Sequence, residues 1–239
     1  MNKGEHLCFF NGEPTKTIPC NDRGFNYGHG LFETMRLTAG RIPLWHYHLS
    51  RLTHGAARLG LNIDTVLLQD YLSQLTSSCP ASGLIKIILT AGEGGRGYRR
   101  DPETNPNYLL QWFDLPDDSS RYRREGVTLK LCQHRLSCAP KLAGVKHLNR
   151  LDQVIARSEW GDEFPEGLML DQQQQVVEGV SRNLFFYSSN RWFTPRIDQC
   201  GVAGVMRQYL MDQIIPDCGY SVVEASCSLD QLLAADEVF

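Results

Sequence analysis

Hydrophobic and polar positions change period along the chain, and each period predicts an element. "CFFNGEP" (8–14) runs an apolar stretch into Asn-Gly, which predicts a strand and a tight turn. "LFETMRLTAGRIPL" (31–44) alternates on both sides of Ala39-Gly40 and predicts two strands joined there. In "WHYHLSRLTHGAARLG" (45–60), Trp45, Leu49, Leu52, Ala56 and Leu59 share one helical face, with Gly60 as the expected C-cap. "LIKIILTAG" and "NYLLQWF" predict strands on either side of a glycine-rich loop.

"DLPDDSSRYRREG" (114–126) is polar and charged, contains Pro and Ser, and breaks the pattern. A domain boundary is expected there, separating residues 1–113 from residues 114–239. Past it, "VTLKLCQ" alternates as a strand. In "LAGVKHLNRLDQVIARSEW" (142–160), Leu148, Leu151 and Ile155 repeat at three and four, predicting a helix packed by that face with Lys146 held at its start. "GLMLDQQQQVVEG" and "NLFFYSSNRWFTP" predict hairpins, and "GVAGVMRQYLMDQII" a glycine loop opening a helix. "SLDQLLAA" begins with a capping-box pattern, Ser228 with Gln231. The final "DEVF" reads as a strand entering a core, so the natural chain is expected to continue past Phe239.

The 239 residues are 42% hydrophobic and 21% charged, a globular mixture large enough for two domains. A net charge of −3 without a long basic run argues against nucleic acid as a partner. The apolar run near the start is too short for a signal peptide, and no segment approaches bilayer length, so no membrane role is expected. The eight cysteines form no C-x-x-C pair. Buried free thiols in a reducing cytoplasm explain them better than disulfides or a zinc site.

Several stretches carry candidate chemistry. "GEGGRG" (92–97) matches a dinucleotide fingerprint literally, but "YRRDPETNPN" follows it without helical periodicity, so no helix start is available for a pyrophosphate. Its glycines fit a tight loop that carries Arg96 and Tyr98 outward. Gly201 and Gly204 lead straight into a helix, so the N–H groups of Val205 and Met206 suit a phosphate as well as they suit an ordinary loop. Arg51, in the "HLSRL" helix, is a second candidate phosphate contact. His46 and His48 point to different helical faces, and no metal site is expected. Glu178, after two valines in "VVEGVSRN", is either a solvated edge residue or a half-buried partner for a cation.

Taken in order, "NDRGFNYGHGLFETMR", "HLSRL", "GVKHLNRLDQV", "VVEGVSRNLF", "TPRIDQCGVAGVMRQ" and "ADEVF" resemble the fold-type IV enzymes that use pyridoxal 5'-phosphate. That family includes branched-chain and D-amino-acid aminotransferases and the aminodeoxychorismate lyases. "GGRGY" with "LAGVKHLNRLDQV" is most similar to the lyases, which make p-aminobenzoate for folate. The resemblance implies a mixed α/β chain of two domains, an N-terminal α/β sandwich and a C-terminal pseudo-barrel with the cofactor between them, in a cytoplasmic homodimer. It implies that Lys146 bonds the cofactor aldehyde and carries the proton, and that Glu178 pairs with the pyridine nitrogen. Arg51, Val205 and Met206 match the phosphate cradle, with Ser181 in the adjoining turn. Arg96 matches an arginine for a substrate carboxylate, and Tyr98, Tyr27 and Thr34 are expected beside the substrate, aminodeoxychorismate. An aminotransferase on the same scaffold is the alternative activity, and a non-catalytic small-molecule binder the alternative class. His29 departs from the usual Asp, Val180 from a small hydroxyl residue, and relatives continue beyond "ADEVF".

Overall fold

The computed structural model describes residues 7–115 and 120–239 and divides into two units. The first is Met1–Asp117 with Lys146–Asn149, and the second is Asp118–Val145 with Arg150–Phe239. Pro116 to Ser119, inside the predicted boundary stretch, lie outside the described residues, as do residues 1–6.

In the first unit, β1 (Leu7–Phe10) turns through Asn11 and Gly12, both at positive φ, into β2 (Glu13–Pro14). A short helix α1 (Arg23–Tyr27) leads to β3 (Gly30–Leu37), followed by helices α2 (Trp45–Arg58) and α3 (Thr65–Ser78). Strands β4 (Gly83–Thr90) and β5 (Asn107–Phe113) complete a five-stranded sheet in the order β2-β1-β5-β4-β3. Its strands pair antiparallel. The period-two pattern becomes two faces. Leu31, Met35, Ile85, Ile87, Leu89 and Leu110 are buried on one, together with Leu52 and Ala56 of α2 and Leu68, Leu72 and Leu75 of α3. Phe32, Thr34 and Lys86 lie on the other, which is less buried.

Two predicted features change here. The second strand after Ala39-Gly40 shrinks to one bridge, Thr38 with Arg41, because Pro43 has no N–H for a ladder and Leu44, at φ 58°, starts α2. Helix α3 lies outside the predicted elements, although Asp64 caps it by accepting from the N–H groups of Val66 and Leu67.

β3 is the edge of this sheet, and residues 146–148 add to it. The Phe32 N–H donates to the Lys146 carbonyl at 3.0 Å, the Leu148 N–H donates to the Gly30 carbonyl at 3.0 Å, and Leu31 bridges His147 antiparallel. Asn149 finishes the attachment by donating Nδ2 to the Gly28 carbonyl at 2.9 Å. Gly28 stands at φ 62°, and a Cβ there would come within 2.4 Å of the Asn149 amide oxygen, so only glycine serves.

The second unit contains α4 (Ser120–Glu125), β6 (Leu129–Leu136) and α5 (Leu151–Arg157). The hairpin strands β7 (Glu166–Asp171) and β8 (Val176–Gly179) join β6 in a three-stranded sheet. Strands β9 (Phe186–Ser188) and β10 (Arg191–Pro195) form the second predicted hairpin. A helical run then passes from α6 (Val205–Tyr209) through a π-helical turn (Leu210–Ile214) into α7 (Ile215–Asp217). Within it the Ile215 N–H donates to the Leu210 carbonyl, five residues back. Pro216 accounts for the widening, since its ring lacks an N–H and crowds the carbonyl four residues before it. β11 (Val222–Ala225), α8 (Leu229–Leu233) with the predicted capping box, and β12 (Glu237–Val238) follow. β12, the predicted final strand, pairs with β9 in a four-stranded sheet, β11-β10-β9-β12.

The predicted helix around Lys146 is corrected on two points. It starts only at Leu151, and Lys146 precedes it in an extended segment. Its apolar face is not buried: Leu151, Val154 and Ile155 are 72%, 59% and 47% exposed. Polar anchors on the opposite side hold the helix instead. Asp152 accepts from the Ser137 N–H at 3.0 Å and lies 2.8 Å from His134 Nε2, and Ala156 fills the core.

Candidate active site

The first unit places Lys146 on the less buried face of its sheet. The Lys146 Nζ lies 4.3 Å from the centroid of the Phe32 ring, and the Lys86 Nζ lies 5.6 Å from the same centroid. Lys86 pairs across the strands with Thr34, so Phe32, Thr34, Lys86 and Lys146 form one patch. An amine that must be neutral to act as nucleophile or base benefits from partial burial and a neighbouring positive charge. Lys146 is half-buried, and Lys86, which the sequence patterns did not single out, shares the Phe32 ring with it. The alternation of "LIKIILT" already placed Lys86 on the face opposite the core.

Arg51, on α2, is bound to the inward-facing Glu33 of β3. Its Nε donates to Glu33 Oε1 at 2.7 Å and its Nη2 to Glu33 Oε2 at 2.5 Å, while His48 Nδ1 lies 2.7 Å from Oε2. Glu33 is 1% exposed. Burial, the largest influence, pushes its carboxyl upward, but hydrogen bonds from His48 and Arg51 and the guanidinium charge outweigh it and hold the pKa below 4.5. Glu33 thus fixes the plane of the Arg51 guanidinium. Its signal in the sequence was a carboxylate at an inward position between Leu31 and Met35.

This pair carries a prediction. Glu33→Gln should cost about 3 kcal/mol of stability near neutral pH, the scale of breaking a buried ion pair. The folded pKa is depressed, so the contribution is complete above the unfolded value and disappears as pH falls through the lower folded value. Urea unfolding from pH 7 down to pH 3 checks it: the wild-type and Glu33→Gln stabilities should converge in acid, and a constant gap would refute the assignment.

Arg96 and Tyr98 ride on the glycine-rich loop, both exposed, Tyr98 at 88%. Tyr98 meets Tyr27 edge-on at 5.6 Å, and the Gly97 N–H donates to the Tyr27 hydroxyl at 3.0 Å. Tyr27 therefore touches the loop directly.

In the second unit, Glu178 is 4% exposed at the end of β8. Its Oε2 accepts from the Val202 N–H at 2.8 Å and its Oε1 from Gln153 Nε2 at 3.3 Å. The reading left open in the sequence resolves to a buried, hydrogen-bonded carboxylate. Arg150 lies near enough for Glu178 to raise its pKa, although burial, the larger influence, leaves that pKa lowered. Gly201, at φ 84°, brings the chain against Glu178: a Cβ there would sit 2.9 Å from Val177 Cγ1 and 3.2 Å from Glu178 Oε2. Gly204 leaves room for Asn183, whose Nδ2 donates to the Val202 carbonyl at 2.9 Å and whose Oδ1 would lie 2.0 Å from a Cβ at position 204. The loop is thereby tightened onto the start of α6, where Val205 and Met206 occupy the first turn, whose N–H groups have no partner within a helix. Ser181 is engaged elsewhere, donating to Glu166 Oε2 at 2.5 Å beside Arg182. Val180 packs against the apolar cluster of Met169 and Val177.

The first unit offers an amine and an oriented guanidinium, and the second, taken by itself, a buried carboxylate and the amides of a helix start. Among the described residues, no cluster of three or more His, Cys, Asp or Glu could hold a metal ion.

Residues 30–239 match the family described as amino-transferase class IV. An aminodeoxychorismate lyase of Vibrio harveyi is 36% identical over 98% of this chain and 86% of its own length. The crystal structure of 4-amino-4-deoxychorismate lyase from Pseudomonas aeruginosa superposes with a TM-score of 0.93 at 41% identity, covering 98% of this chain and 86% of that one. A D-alanine aminotransferase of Bacillus licheniformis is more distant, at 24% identity over 96% of this chain and 82% of that protein.

Proposed function

The chain belongs to the amino-transferase class IV family, and from that premise we propose that it is an aminodeoxychorismate lyase dependent on pyridoxal 5'-phosphate. The observation that carries this reading is the pinning of Lys146 to the edge of β3 with its Nζ over Phe32, in a chain 36% identical to one such lyase. When bound, the cofactor supplies an electron sink through its protonated ring. Lys146 would hold the cofactor through its aldehyde, Glu178 would face its ring nitrogen, and Arg51 with the amides of Val205 and Met206 would hold its phosphate. Ser181 lies in the adjoining turn. Lys146 Nζ then takes the proton from the amine-bearing carbon of the substrate. Loss of the neighbouring enolpyruvyl ether makes the substrate ring aromatic, which drives the step, and Lys146 returns the proton to the departing group to give pyruvate. Arg96 holds a substrate carboxylate through its planar fork, beside Tyr98, Tyr27 and Thr34.

Two further points belong to this reading. The exposed Leu151, Val154 and Ile155 on one short helix support a homodimer, since apolar groups clustered in this way mark interaction surfaces. The buried thiols support a cytoplasmic location. Burial pushes Cys132 and Cys227 up to about 11 and Cys200 to about 12, so all three remain protonated, unreactive thiols. No helix among the described residues is long and apolar enough to cross a membrane.

Incubation with aminodeoxychorismate tests the activity. Equal amounts of p-aminobenzoate and pyruvate should form without any keto acid. Turnover that requires an added keto acid and yields a new amino acid would assign the chain to the aminotransferases instead.

A further inference from the structure

We propose that Arg23 is a positioning residue that fixes the glycine-rich loop, and through it sets how tightly substrate is held. The second half rests on the reading of Arg96 as a substrate contact. Arg23 is 3% exposed, an unusual state for an arginine, and among the described residues it forms no ion pair with a carboxylate. Its guanidinium is directed at backbone instead. Nη1 donates to the Gly97 carbonyl at 3.1 Å and Nη2 to the Tyr98 carbonyl at 2.7 Å, while Nε lies 3.5 Å from His29 Nδ1. The same guanidinium carbon stands 4.8 Å from the centroid of the Tyr27 ring, whose hydroxyl accepts from the Gly97 N–H.

The other end of the loop is tied to the same residues. The Arg23 N–H donates to the Gly92 carbonyl at 2.9 Å, and the Gly94 N–H donates to the Asn21 carbonyl at 3.1 Å. A Cβ at Gly94 would lie 3.0 Å from Arg23 Cδ, so the arginine stem runs directly beneath the loop. The backbone of Arg23 is itself anchored by Asp22, which is 1% exposed. Asp22 accepts from the Gly24 N–H at 2.7 Å, from Thr90 Oγ1 at 2.6 Å and from Asn107 Nδ2 at 2.8 Å. Arg96 therefore projects from a span fixed at residues 92–94 and again at 97–98, with Arg23 serving both ends. Lysine in its place keeps the charge but not the planar fork that meets two carbonyls at once.

The experiment compares wild type, Arg23→Lys, Tyr27→Phe and Arg96→Ala as whole enzymes with cofactor. Four quantities are followed: tryptic cleavage after Arg96 by mass spectrometry in the proteins that keep it, the melting temperature, and kcat and KM with aminodeoxychorismate. Arg23→Lys should speed cleavage after Arg96 by about tenfold and raise KM by a similar factor, with kcat within about twofold of wild type and an unchanged melting temperature. Tyr27→Phe, which removes only the hydroxyl, should move cleavage and KM the same way by a smaller factor and guards against a folding defect in Arg23→Lys. Unchanged cleavage in both variants overturns the proposal, whatever Arg96→Ala shows. A fall in kcat and melting temperature with KM unchanged also overturns it, because Arg23 would then be only structural. Faster cleavage in Arg23→Lys alongside an unchanged KM in Arg96→Ala would instead overturn the Arg96 reading and the claim of substrate control, leaving the loop anchoring standing.

Discussion

Lys146→Ala should lower lyase turnover by on the order of ten thousandfold or more, because in the proposed reaction one amine would serve both as covalent partner and as proton carrier. The loss should be chemical and not structural. The backbone of Lys146 is attached through its carbonyl and the neighbouring His147 and Leu148, and alanine keeps those bonds. Lys146→Arg should fail equally, since a guanidinium does not become neutral in a protein. Borohydride reduction of the wild-type enzyme, followed by peptide mapping, should place the cofactor on Lys146. The informative competitor is Lys86, whose ammonium shares the Phe32 ring. Labelling there, or turnover surviving in Lys146→Ala, would sink the assignment.

The second large effect is expected at Glu178. Glu178→Gln preserves shape but replaces an acceptor-only group with one that is half donor, facing the Val202 N–H and the Gln153 amide. In the proposed reaction Glu178 would hold a proton on the cofactor's ring nitrogen, so kcat should fall about a hundredfold, the scale for removing one electrostatic partner from a site. Steady-state kinetics with aminodeoxychorismate measures it directly. An unchanged kcat would show that Glu178 serves only to tie residues 201 and 202 to β8.

The strands and most helices were legible because their signal is local. Alternation in "LIKIILTAG" and "NYLLQWF" and the Ser228 capping box need no knowledge of distant residues. The setting of Lys146 was not legible, because its pairing partner, β3, lies far away in the sequence and "GVKHLNR" carries no alternation that announces an added strand. The same holds for α5. Its apolar spacing predicted burial, whereas Asp152 and Gln153 make its inward contacts. Among site residues, Glu33 and Lys86 left a readable trace as charges inside alternating strands. Arg23 left none, since nothing in "NDRGFNYG" reveals that its guanidinium reaches a loop more than one strand away.

The attachment of residues 146–148 to β3 also bears on how the chain is made. An open strand edge is a template for pairing with any other extended chain, and folds guard against this by covering such edges. During synthesis the five-stranded sheet can assemble once β5 has emerged, yet the start of β3 stays uncovered until residues 146–149 have emerged as well. Throughout that interval the nascent sheet offers the Phe32 N–H and the Gly30 carbonyl to whatever strand arrives first. Cutting the gene between the two units would make the interval permanent. A fragment ending near residue 115 is therefore expected to self-associate through β3, and a synthetic peptide spanning residues 144–150 should suppress that association by taking the place its own chain would have filled.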